Sequence, residues 1–528
     1  MDDFNEGDSK RVKGFDAARN NILAARVISE MLKTTLGPKG MDKMLVDRVG
    51  NIVITNDGAT ILKEMEVEHP VAKMLVEVAK TQEAEVGDGT TTAVMIAGKL
   101  LENAEKLLNQ KVHPSVITRG YRYALEKSKN ILKEISVEIN SEDELLRVAM
   151  TAMTGKGAEH LREKFSEIIV EAVKILSKDG KIDLDNIKIE KKKGGSLEDT
   201  ALIKGIVLDK EKMNMEMPTL VENARIAIVE EPLEARNIQG DSNMTPTDYS
   251  ALQNFLDQED LILKSKVEHI KEIGANVLIT QNGVDDFVCE ILASYGIYTV
   301  SRVLKEDIKS ISKATGAKII SRVSDLTNED LGFAGFVEEI KEGDSSMTYI
   351  RGAKNPKALT ILIRGGTDHV IDETERAIRD ALGDVAATLF DSKVVAGGGA
   401  VEMELSRRLI QFSKTLTGRE SLAVLEFASA LEFIPITLAE NAGLDPIDIL
   451  TELRALHDMG NKNFGLNLFN ENIEDTLNFG IIEPLKVKLL ALSYATEAAI
   501  MILRIDDVIA AKKIGNSSGM IEGFHEHE

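Results

Sequence analysis

One stretch of the chain combines the residue types that bind a phosphate and its counter-ion. Residues 85–92 read Glu-Val-Gly-Asp-Gly-Thr-Thr-Thr and lead into an apolar helical pattern at 93–108. Glycines let the backbone approach a ligand closely, and amide and hydroxyl donors at a helix N-terminus favour a phosphate. Asp88, between the two glycines, supplies the carboxylate oxygen that Mg²⁺ prefers. An Asp-Gly turn with a threonine N-cap is the plain structural alternative, and the motif alone leaves both interpretations open.

A second glycine-rich turn lies earlier in the chain, at 36–40, after an amphipathic helical pattern. Gly37 suits the left-handed conformation that follows a helix, and Pro38 prevents the helix from continuing. Between the two turns, residues 51–56 alternate like a strand that breaks at an Asn-Asp-Gly turn. None of these segments has the Gly-x-x-x-x-Gly-Lys-Ser/Thr spacing of the Walker phosphate loop. The sequence therefore predicts a phosphate site of another design.

The elements around these motifs predict a multidomain α/β protein. Helical patterns dominate at about 1–140 and again from about 396. The region at 141–208 begins with a helix and ends in short strands, and the region at 209–361 has βαβ character. Strands are predicted there at 224–229, 275–280 and 297–303. A length of 528 residues is too great for a single core and indicates two to four domains.

The composition excludes several classes of protein. With 64 basic and 87 acidic residues the net charge is −23, a poor match to nucleic acid or an anionic membrane surface. We find no uninterrupted apolar run near the roughly 18–20 residues that span a bilayer, and the first ten residues are unlike a signal peptide. Cys289 is the only cysteine, which excludes an intrachain disulfide and favours a reducing cytoplasm. We expect its thiol to lie in the core.

Seven segments together resemble the group II chaperonins, the family of the archaeal thermosome and the eukaryotic cytosolic chaperonin. They follow the family's order at nearly its spacing and cover essentially the whole chain, with the archaeal branch as the better fit. The segments are 34–45, 55–62, 85–92, 394–402, 439–446, 482–488 and 495–509.

The resemblance implies three nested domains rather than three consecutive ones. A mostly helical equatorial domain would combine 1–140 with 396–528. A small α/β intermediate domain would combine 141–208 with 362–395, and an α/β apical domain would occupy 209–361. This nesting would bring the glycine motifs near both ends of the chain to one nucleotide.

The same resemblance implies an ATP-dependent chaperone that assembles into a stacked double ring, with itself or with sister subunits. It would capture unfolded proteins and enclose them beneath a built-in lid, a helical protrusion at about 241–270. The polar segment 237–247 departs from the family pattern. The resemblance therefore does not predict the geometry at the base of the protrusion. A passive holdase or ring scaffold is the alternative. It would be indicated by the loss of Asp57, Asp88 or Asp380, and all three are present.

The matching positions also imply the residues of the nucleotide site. The residues expected to contact ATP are Leu36, Gly37, Pro38, Gly89, Thr90, Thr91, Thr92, Lys156, Gly398 and Glu483. Among them, Lys156 would sense the γ-phosphate. Gly398 would pack against the sugar or base, and Glu483 would accept hydrogen bonds from the ribose hydroxyls.

Three aspartates would carry the chemistry of hydrolysis. The resemblance implies that Asp88 ligates Mg²⁺ and that Asp57 holds the attacking water or a second cation such as K⁺. The segment 376–382 matches the family segment with the catalytic base, which makes Asp380 that base. The residues alone would instead make Asp380 an ordinary solvated helix residue beside Arg376.

Overall fold

The structure is a computed structural model that describes most of the chain. The described residues are 11–65, 67–139, 141–157, 159–177, 183–234, 249–342, 345–353 and 358–509. The segment 237–247 and the start of the predicted protrusion lie outside them.

The first part of the chain is mainly helical. Its elements are β1 (Arg11–Lys13), α1 (Gly14–Lys33), β2 (Lys43–Val46), β3 (Ile52–Thr55), α2 (Gly58–Glu64), α3 (Pro70–Val86), α4 (Thr90–Asn109) and α5 (Pro114–Ile135). Sequence patterns predict helices at 71–85, 90–109 and 114–135, and α3, α4 and α5 confirm them. Both α3 and α5 begin with a proline that follows a capping histidine, because proline fits the first position of a helix.

Helix α1 has the predicted apolar period but differs from the sequence interpretation in two respects. Leu23 and Val27 lie about half exposed on its outer face, because no part of the chain that the structure describes covers them fully. The helix also ends at Lys33, so Gly37 is not its cap. Gly37 has a φ of +80° in a separate turn, where the Gly40 N–H donates to the Gly37 carbonyl at 2.9 Å.

The second part begins with helices and ends in short strands, as predicted. Its elements are β4 (Val137–Glu138), α6 (Glu142–Met153), α7 (Arg162–Leu176), β5 (Ile187–Lys193) and β6 (Ala201–Ile203). A capping box between Ser141 and Glu144 starts α6. Alternating residues at 202–207 predict one short strand. This prediction is wrong, because the chain leaves one sheet after β6 and enters another with β7 (Gly205–Leu208).

The middle part forms a seven-stranded sheet. Its further elements are β8 (Leu220–Val229), α8 (Tyr249–Glu272), β9 (Val277–Thr280), α9 (Asp286–Ser294), β10 (Tyr298–Val300), α10 (Lys305–Thr315), β11 (Ile319–Ile320), β12 (Gly332–Glu342) and β13 (Ser345–Arg351). The strands follow the order β10-β9-β8-β12-β13-β7, and β11 pairs with β8. The pairs β8–β9 and β9–β10 are parallel, which confirms the predicted βαβ character.

Both faces of this sheet are buried. Ile226 and Ile228 of β8 belong to one apolar cluster, whereas Ala227 and Val229 belong to another on the opposite face. A strand covered on both sides needs apolar residues at successive positions, which explains its unbroken apolar run. Cys289 lies in the second cluster, and burial raises the pKa of its thiol to about 11. Its predicted place in the core is confirmed.

The remaining part returns to helices after one strand. Its elements are β14 (Leu359–Gly365), α11 (Asp368–Asp391), β15 (Lys393–Ala396), α12 (Ala400–Ser413), α13 (Glu420–Leu431), α14 (Phe433–Asn441), α15 (Pro446–Asp458), β16 (Phe464–Asn467), β17 (Asn472–Asp475), α16 (Thr476–Phe479), β18 (Ile482–Pro484), α17 (Leu485–Leu503) and β19 (Asp507–Ile509). Strand β14 lies between β5 and β6, and β15 lies between β18 and β4.

The largest apolar core contains residues from both ends of the chain. Side chains of α1 to α5 pack there with side chains of α12, α13, α14 and α17. Strands β1 and β19 pair antiparallel, with Arg11 opposite Ile509. A second core combines α6, α7 and α11 with β14. The polypeptide therefore leaves its first core and returns to complete it.

One helical stretch is apolar on average, although Glu426 and Glu432 interrupt its apolar run. Glu420–Asn441, which comprises α13 and α14, is long and apolar enough to cross a membrane by length and composition. However, 72% of its most apolar window is buried inside the protein, where Val424 and Phe427 join the largest core. The stretch has the burial expected of core helices.

Helix α11 approaches the end of α3 very closely. A Cβ atom added at Gly383 would lie 2.3 Å from the Val86 carbonyl oxygen and 3.2 Å from the Cα of Gly87. Any larger residue at this position would separate the two helices. The glycine therefore sets the distance between the second core and the Gly-Asp-Gly turn.

We expect Gly383→Ala to lower the unfolding temperature. Alanine is favoured over glycine in a helix interior by about 1 kcal/mol, but the new methyl group would overlap the Val86 carbonyl and displace α11. Thermal unfolding followed by circular dichroism measures the change. Gly366→Ala is the control, because no heavy atom lies within 4 Å of a Cβ there. An unchanged or higher midpoint for Gly383→Ala would contradict the close packing.

Candidate nucleotide site

Every residue that the resemblance assigns to the nucleotide site lines one cavity of about 630 Å³. Those residues are Leu36, Gly37, Pro38, Asp57, Asp88, Gly89, Thr90, Thr91, Thr92, Lys156, Asp380, Gly398 and Glu483. They come from widely separated parts of the sequence, including both ends of the chain and α11. The fold thus brings together positions whose chemistry was inferred separately.

Two helix N-termini open onto the cavity without a side-chain cap. Helix α4 starts after Gly89 and α12 starts after Gly399, and both glycines are left-handed. The threonine N-cap considered from the sequence is therefore wrong, because Thr90, Thr91 and Thr92 form the first turn of α4 itself. Backbone N–H groups in a first turn have no partner within the helix, and together with the helix dipole they favour an anion.

Asp57 is held in a fixed orientation beside these donors. It is the N-cap of α2, and its carboxylate accepts hydrogen bonds from the backbone N–H groups of Ala59 at 3.4 Å and Thr60 at 2.8 Å. The Thr90 hydroxyl donates to its Oδ1 at 3.2 Å. Asp57 is thus a turn residue, as the simpler interpretation held, and it also lines the cavity.

An ion pair joins Lys156 to Asp380 across the cavity. The Lys156 Nζ lies 2.5 Å from Asp380 Oδ2 and 3.8 Å from Asp88 Oδ1. The side chain of Asp380 is 13% exposed, so the solvated helix residue expected from the residues alone is wrong. Its neighbour Arg376 instead donates to Glu373 and to the carbonyl of Ile54.

Burial and pairing shift the pKa values of both groups. Burial raises the pKa of Asp380 well above its ordinary value, although the Lys156 ammonium acts to lower it. Burial alone would lower the pKa of Lys156, but the carboxylates of Asp380 and Asp88 outweigh it and raise that pKa. Lys156 is therefore a charged ammonium whose attraction stabilises the ionised form of a poorly hydrated carboxylate.

The loop that carries Lys156 is tied to the glycine turns. The Asn56 side-chain amide donates to the Gly155 carbonyl at 2.8 Å. A Cβ at Gly155 would lie 2.7 Å from the Cα of Pro38. The loop, the turn at 36–40 and the Asn-Asp-Gly turn therefore meet at one side of the cavity.

Gly398 and Glu483 have protein partners of their own. A Cβ at Gly398 would lie 2.6 Å from the Leu466 carbonyl oxygen, so packing against β16 already requires glycine there. Glu483 Oε2 lies 2.8 Å from the Nζ of Lys488, which also lies 2.9 Å from Glu402 Oε1. Lys488 thus bridges the buried carboxylate of Glu402 and the partly exposed carboxylate of Glu483.

The carboxylates of the cavity suit a hard cation such as Mg²⁺. Asp57 and Asp88 supply oxygen atoms beside the open helix N-termini. Within the described ranges, no group of three His, Cys, Asp or Glu side chains could hold a metal ion alone. Magnesium is commonly bound by one or two carboxylates together with substrate phosphates and water, rather than by a complete protein cage. The residues present therefore fit a metal that arrives with a nucleotide.

Comparison with known sequences identifies the family. Residues 28–513 match the TCP-1/cpn60 chaperonin family. The chain belongs to this family. It is 55% identical to a thermosome subunit of Methanopyrus kandleri over 96% of this chain and 94% of the relative. It is 54% identical to a thermosome subunit of Methanocaldococcus jannaschii over 97% and 95%, and 53% identical to thermosome subunit beta of Methanothermobacter thermautotrophicus over 99% and 96%.

Family membership establishes the activity. This chaperonin is an ATPase that assists protein folding in an ATP-dependent manner. The predicted resemblance, the chaperone function and the ATPase activity are confirmed. The fold is a mixed α/β multidomain fold consistent with the chaperonin family.

The sequence patterns did not predict several of the residues that line the chaperonin cavity. Asp384 lies one helical turn after Asp380 and lines the cavity, and that spacing was a signal that could have revealed it. Burial raises its pKa well above the ordinary value, and the charge of Asp88 adds to the shift. Other missed lining residues carry no comparable signal, because their positions depend on tertiary packing. They include Asn56, Arg147, Ile434, Leu438, Phe469, Phe479 and Lys488.

We expect Lys488→Met to destabilise the chaperonin by about 3–5 kcal/mol, since removal of one partner leaves buried charges uncompensated. Glu402 and Glu483 would lose the ammonium that now lies within 2.9 Å of both. Equilibrium unfolding in urea measures the loss. Lys486→Met on the same helix is the control, because Lys486 forms no ion pair in the described part of the chain. Equal stability of the two variants would show that the bridge contributes little.

Proposed function

We propose that this chaperonin binds Mg-ATP in the cavity of about 630 Å³ and hydrolyses it with Asp380 as the catalytic base. The observation that carries the proposal is the meeting of the Asp380 carboxylate with two uncapped helix N-termini and the Asp88 carboxylate at one cavity. Phosphoryl transfer needs this combination, because positioning and charge stabilisation supply most of its catalysis.

The donors at the helix N-termini would hold the phosphates. Backbone N–H groups at Gly37, Gly89 and Thr90 and the hydroxyls of Thr91 and Thr92 would donate to phosphate oxygens. Leu36 and Pro38 would contact the nucleotide beside them. Asp88 would ligate Mg²⁺, which neutralises part of the phosphate charge when bound. Asp57 would orient the attacking water or hold a second cation such as K⁺.

The far end of the cavity would receive the nucleoside. Its lining includes the apolar side chains of Leu438, Phe469 and Phe479, which suit a purine base. Glu483 would accept hydrogen bonds from the ribose hydroxyls, in addition to its contact with Lys488. Gly398 would keep the backbone near the sugar free of a side chain.

Lys156 would link the γ-phosphate to the release of the base. The Lys156 ammonium lies 2.5 Å from the Asp380 carboxylate, so the two groups form an ion pair. A γ-phosphate would compete for the ammonium, and Asp380 would then be free to accept a proton from the attacking water. In this arrangement Asp380 becomes available as the base only when the bound nucleotide carries a γ-phosphate.

We propose three nested domains with boundaries close to those inferred from the sequence. The helical core from both ends of the chain would be the equatorial domain, and the core of α6, α7 and α11 would be the intermediate domain. The seven-stranded sheet would be the apical domain, with the protrusion around α8. The strand pairings support boundaries near 204 and 358, because β7 joins the large sheet and β14 joins the small one.

We further propose that the subunits form a cytoplasmic double ring that encloses unfolded proteins beneath the protrusions. The relatives include alpha and beta thermosome subunits, so sister subunits are compatible with such a ring. The exposed apolar side chains Leu23 and Val27 on α1 and Met44 and Val46 on β2 support contact between subunits. Confinement would separate unfolded chains from one another and so prevent their aggregation.

Asp380→Ala should retain ATP binding and lose turnover by about 10²–10⁴-fold, as expected when a general base is removed. Steady-state phosphate release and equilibrium binding of a labelled nucleotide measure the two effects. Asp391→Ala is the matched control, since Asp391 is an exposed carboxylate at the end of the same helix. Turnover that survives in Asp380→Ala would exclude this residue as the base.

The native mass of the purified chain tests the proposed ring. With 57.8 kDa per subunit, sixteen copies would weigh about 925 kDa and eighteen about 1,040 kDa, since closed rings repeat one heterologous contact. We expect one of these masses in native mass spectrometry. A folded monomer would show that ring assembly needs sister subunits or that the ring mechanism is wrong, and addition of an alpha or beta thermosome subunit would separate these cases.

A further inference from the structure

Asp384 is a buried carboxylate at the cavity with an unsatisfied oxygen. It is 2% exposed, and its Oδ1 has no hydrogen-bond partner among the residues that the structure describes. A buried polar atom that loses its water without gaining a partner is costly. Native proteins keep such groups rarely, so the group requires an explanation. Because Asp384 lines the cavity, a ligand there could supply the missing partner.

The surrounding charges indicate what kind of partner is missing. The charges with the largest effect on Asp384 are the carboxylates of Asp88, Glu483 and Asp380 and the ammonium of Lys156. That ammonium already contacts Asp380 at 2.5 Å and Asp88 at 3.8 Å. Asp384 therefore lies in a region with an excess of negative charge. A cation or its bound water would satisfy it, whereas a phosphate oxygen would not.

Direct coordination by a carboxylate cage does not account for Asp384. No three acidic side chains in the described segments form a group that could enclose a metal ion. Magnesium usually retains several of its water ligands, and these waters are hydrogen-bond donors that need acceptors. Groups that accept such bonds hold the metal in place and contribute to its affinity.

We propose that Asp384 is a further acidic residue of the metal site, where it accepts hydrogen bonds from water ligands of the cation that Asp88 holds. The inference rests on the proposed function, which assigns the metal to Asp88. Asp384 is a positioning residue, because it acts through the bound waters rather than on the reacting phosphate. It would favour a hydrated divalent cation over one stripped of its water.

Electron paramagnetic resonance with Mn²⁺ tests the proposal without turnover. The full-length chain is titrated with Mn²⁺ in the presence of saturating ADP, and free Mn²⁺ is measured from its signal. Asp384→Asn and Asp384→Leu should each raise the Mn²⁺ dissociation constant about tenfold or more, the range typical of groups that hydrogen-bond to the ligands of a metal. Binding of ADP without metal should stay unchanged, and Asp384→Leu should unfold at the same or a higher temperature than the wild type without metal.

Thr388→Val is the matched control. Thr388 lies one turn further along α11, is fully buried, and has an Oγ1 without a partner in the described chain. It is not among the residues that line the cavity. Its replacement removes a buried polar atom in the same way, and the Mn²⁺ dissociation constant should not change.

The possible results separate this inference from the proposed function. Unchanged Mn²⁺ affinity in both Asp384 variants, with Asp88→Ala strongly weakened, would overturn the inference and leave the metal site at Asp88 intact. Unchanged affinity in Asp88→Ala itself would overturn the metal assignment and the inference with it. Failure of both Asp384 variants to fold would show that the carboxyl serves the fold, which also contradicts the proposal.

Discussion

The ammonium of Lys156 connects parts of the chain that belong to different cores. It follows α6, which packs in the second core, and it reaches both Asp380 of α11 and Asp88 of the Gly-Asp-Gly turn. A buried pair of this kind adds little net stability, because desolvation offsets much of the attraction. Loss of one partner, however, leaves an uncompensated charge. The geometry of the cavity therefore depends on this contact and responds to any anion that competes for it.

The packing around Gly383 supports the same arrangement. The bare α-carbon lets α11 approach the end of α3, which brings Asp380 and Asp384 to the side of the cavity that contains Asp88. The charges on α11 could not meet the turn if the helices were one side chain further apart. Close packing and charge pairing are thus two conditions for one site, and neither is sufficient alone.

Local signals in the sequence predicted most elements correctly. The prolines that start α3 and α5, the period of α4 and the unbroken apolar strands of the middle part depend on residues close together in the chain. The same is true of the glycine turns. Their assembly at one cavity was expected from the resemblance to a family, because no local pattern relates position 37 to position 398.

The errors arose where tertiary contacts decide the outcome. The helical sequence pattern around Asp380 predicted a solvated side chain. Such a pattern does not reveal that Lys156 and the turn after α3 cover that face of α11. The contact of Gly398 with a nucleotide stays a prediction, and the structure adds a second reason for glycine there, because the backbone of Leu466 leaves no room for a side chain. Asp384 was overlooked although it follows Asp380 by one turn, because a lone carboxylate in a helix usually faces water.

The antiparallel pairing of β1 with β19 has a consequence for how the protein is made. Helix α17, which packs on α3, α4 and α5, leaves the ribosome only after nearly all of the chain has been synthesised. Until then the apolar face of α4 has no complete partner, while the middle of the chain can already fold. Exposed apolar surface on a nascent chain invites aggregation. We therefore expect a subunit with this topology to be prone to aggregation until α17 has been synthesised, and to benefit from shielding in that period.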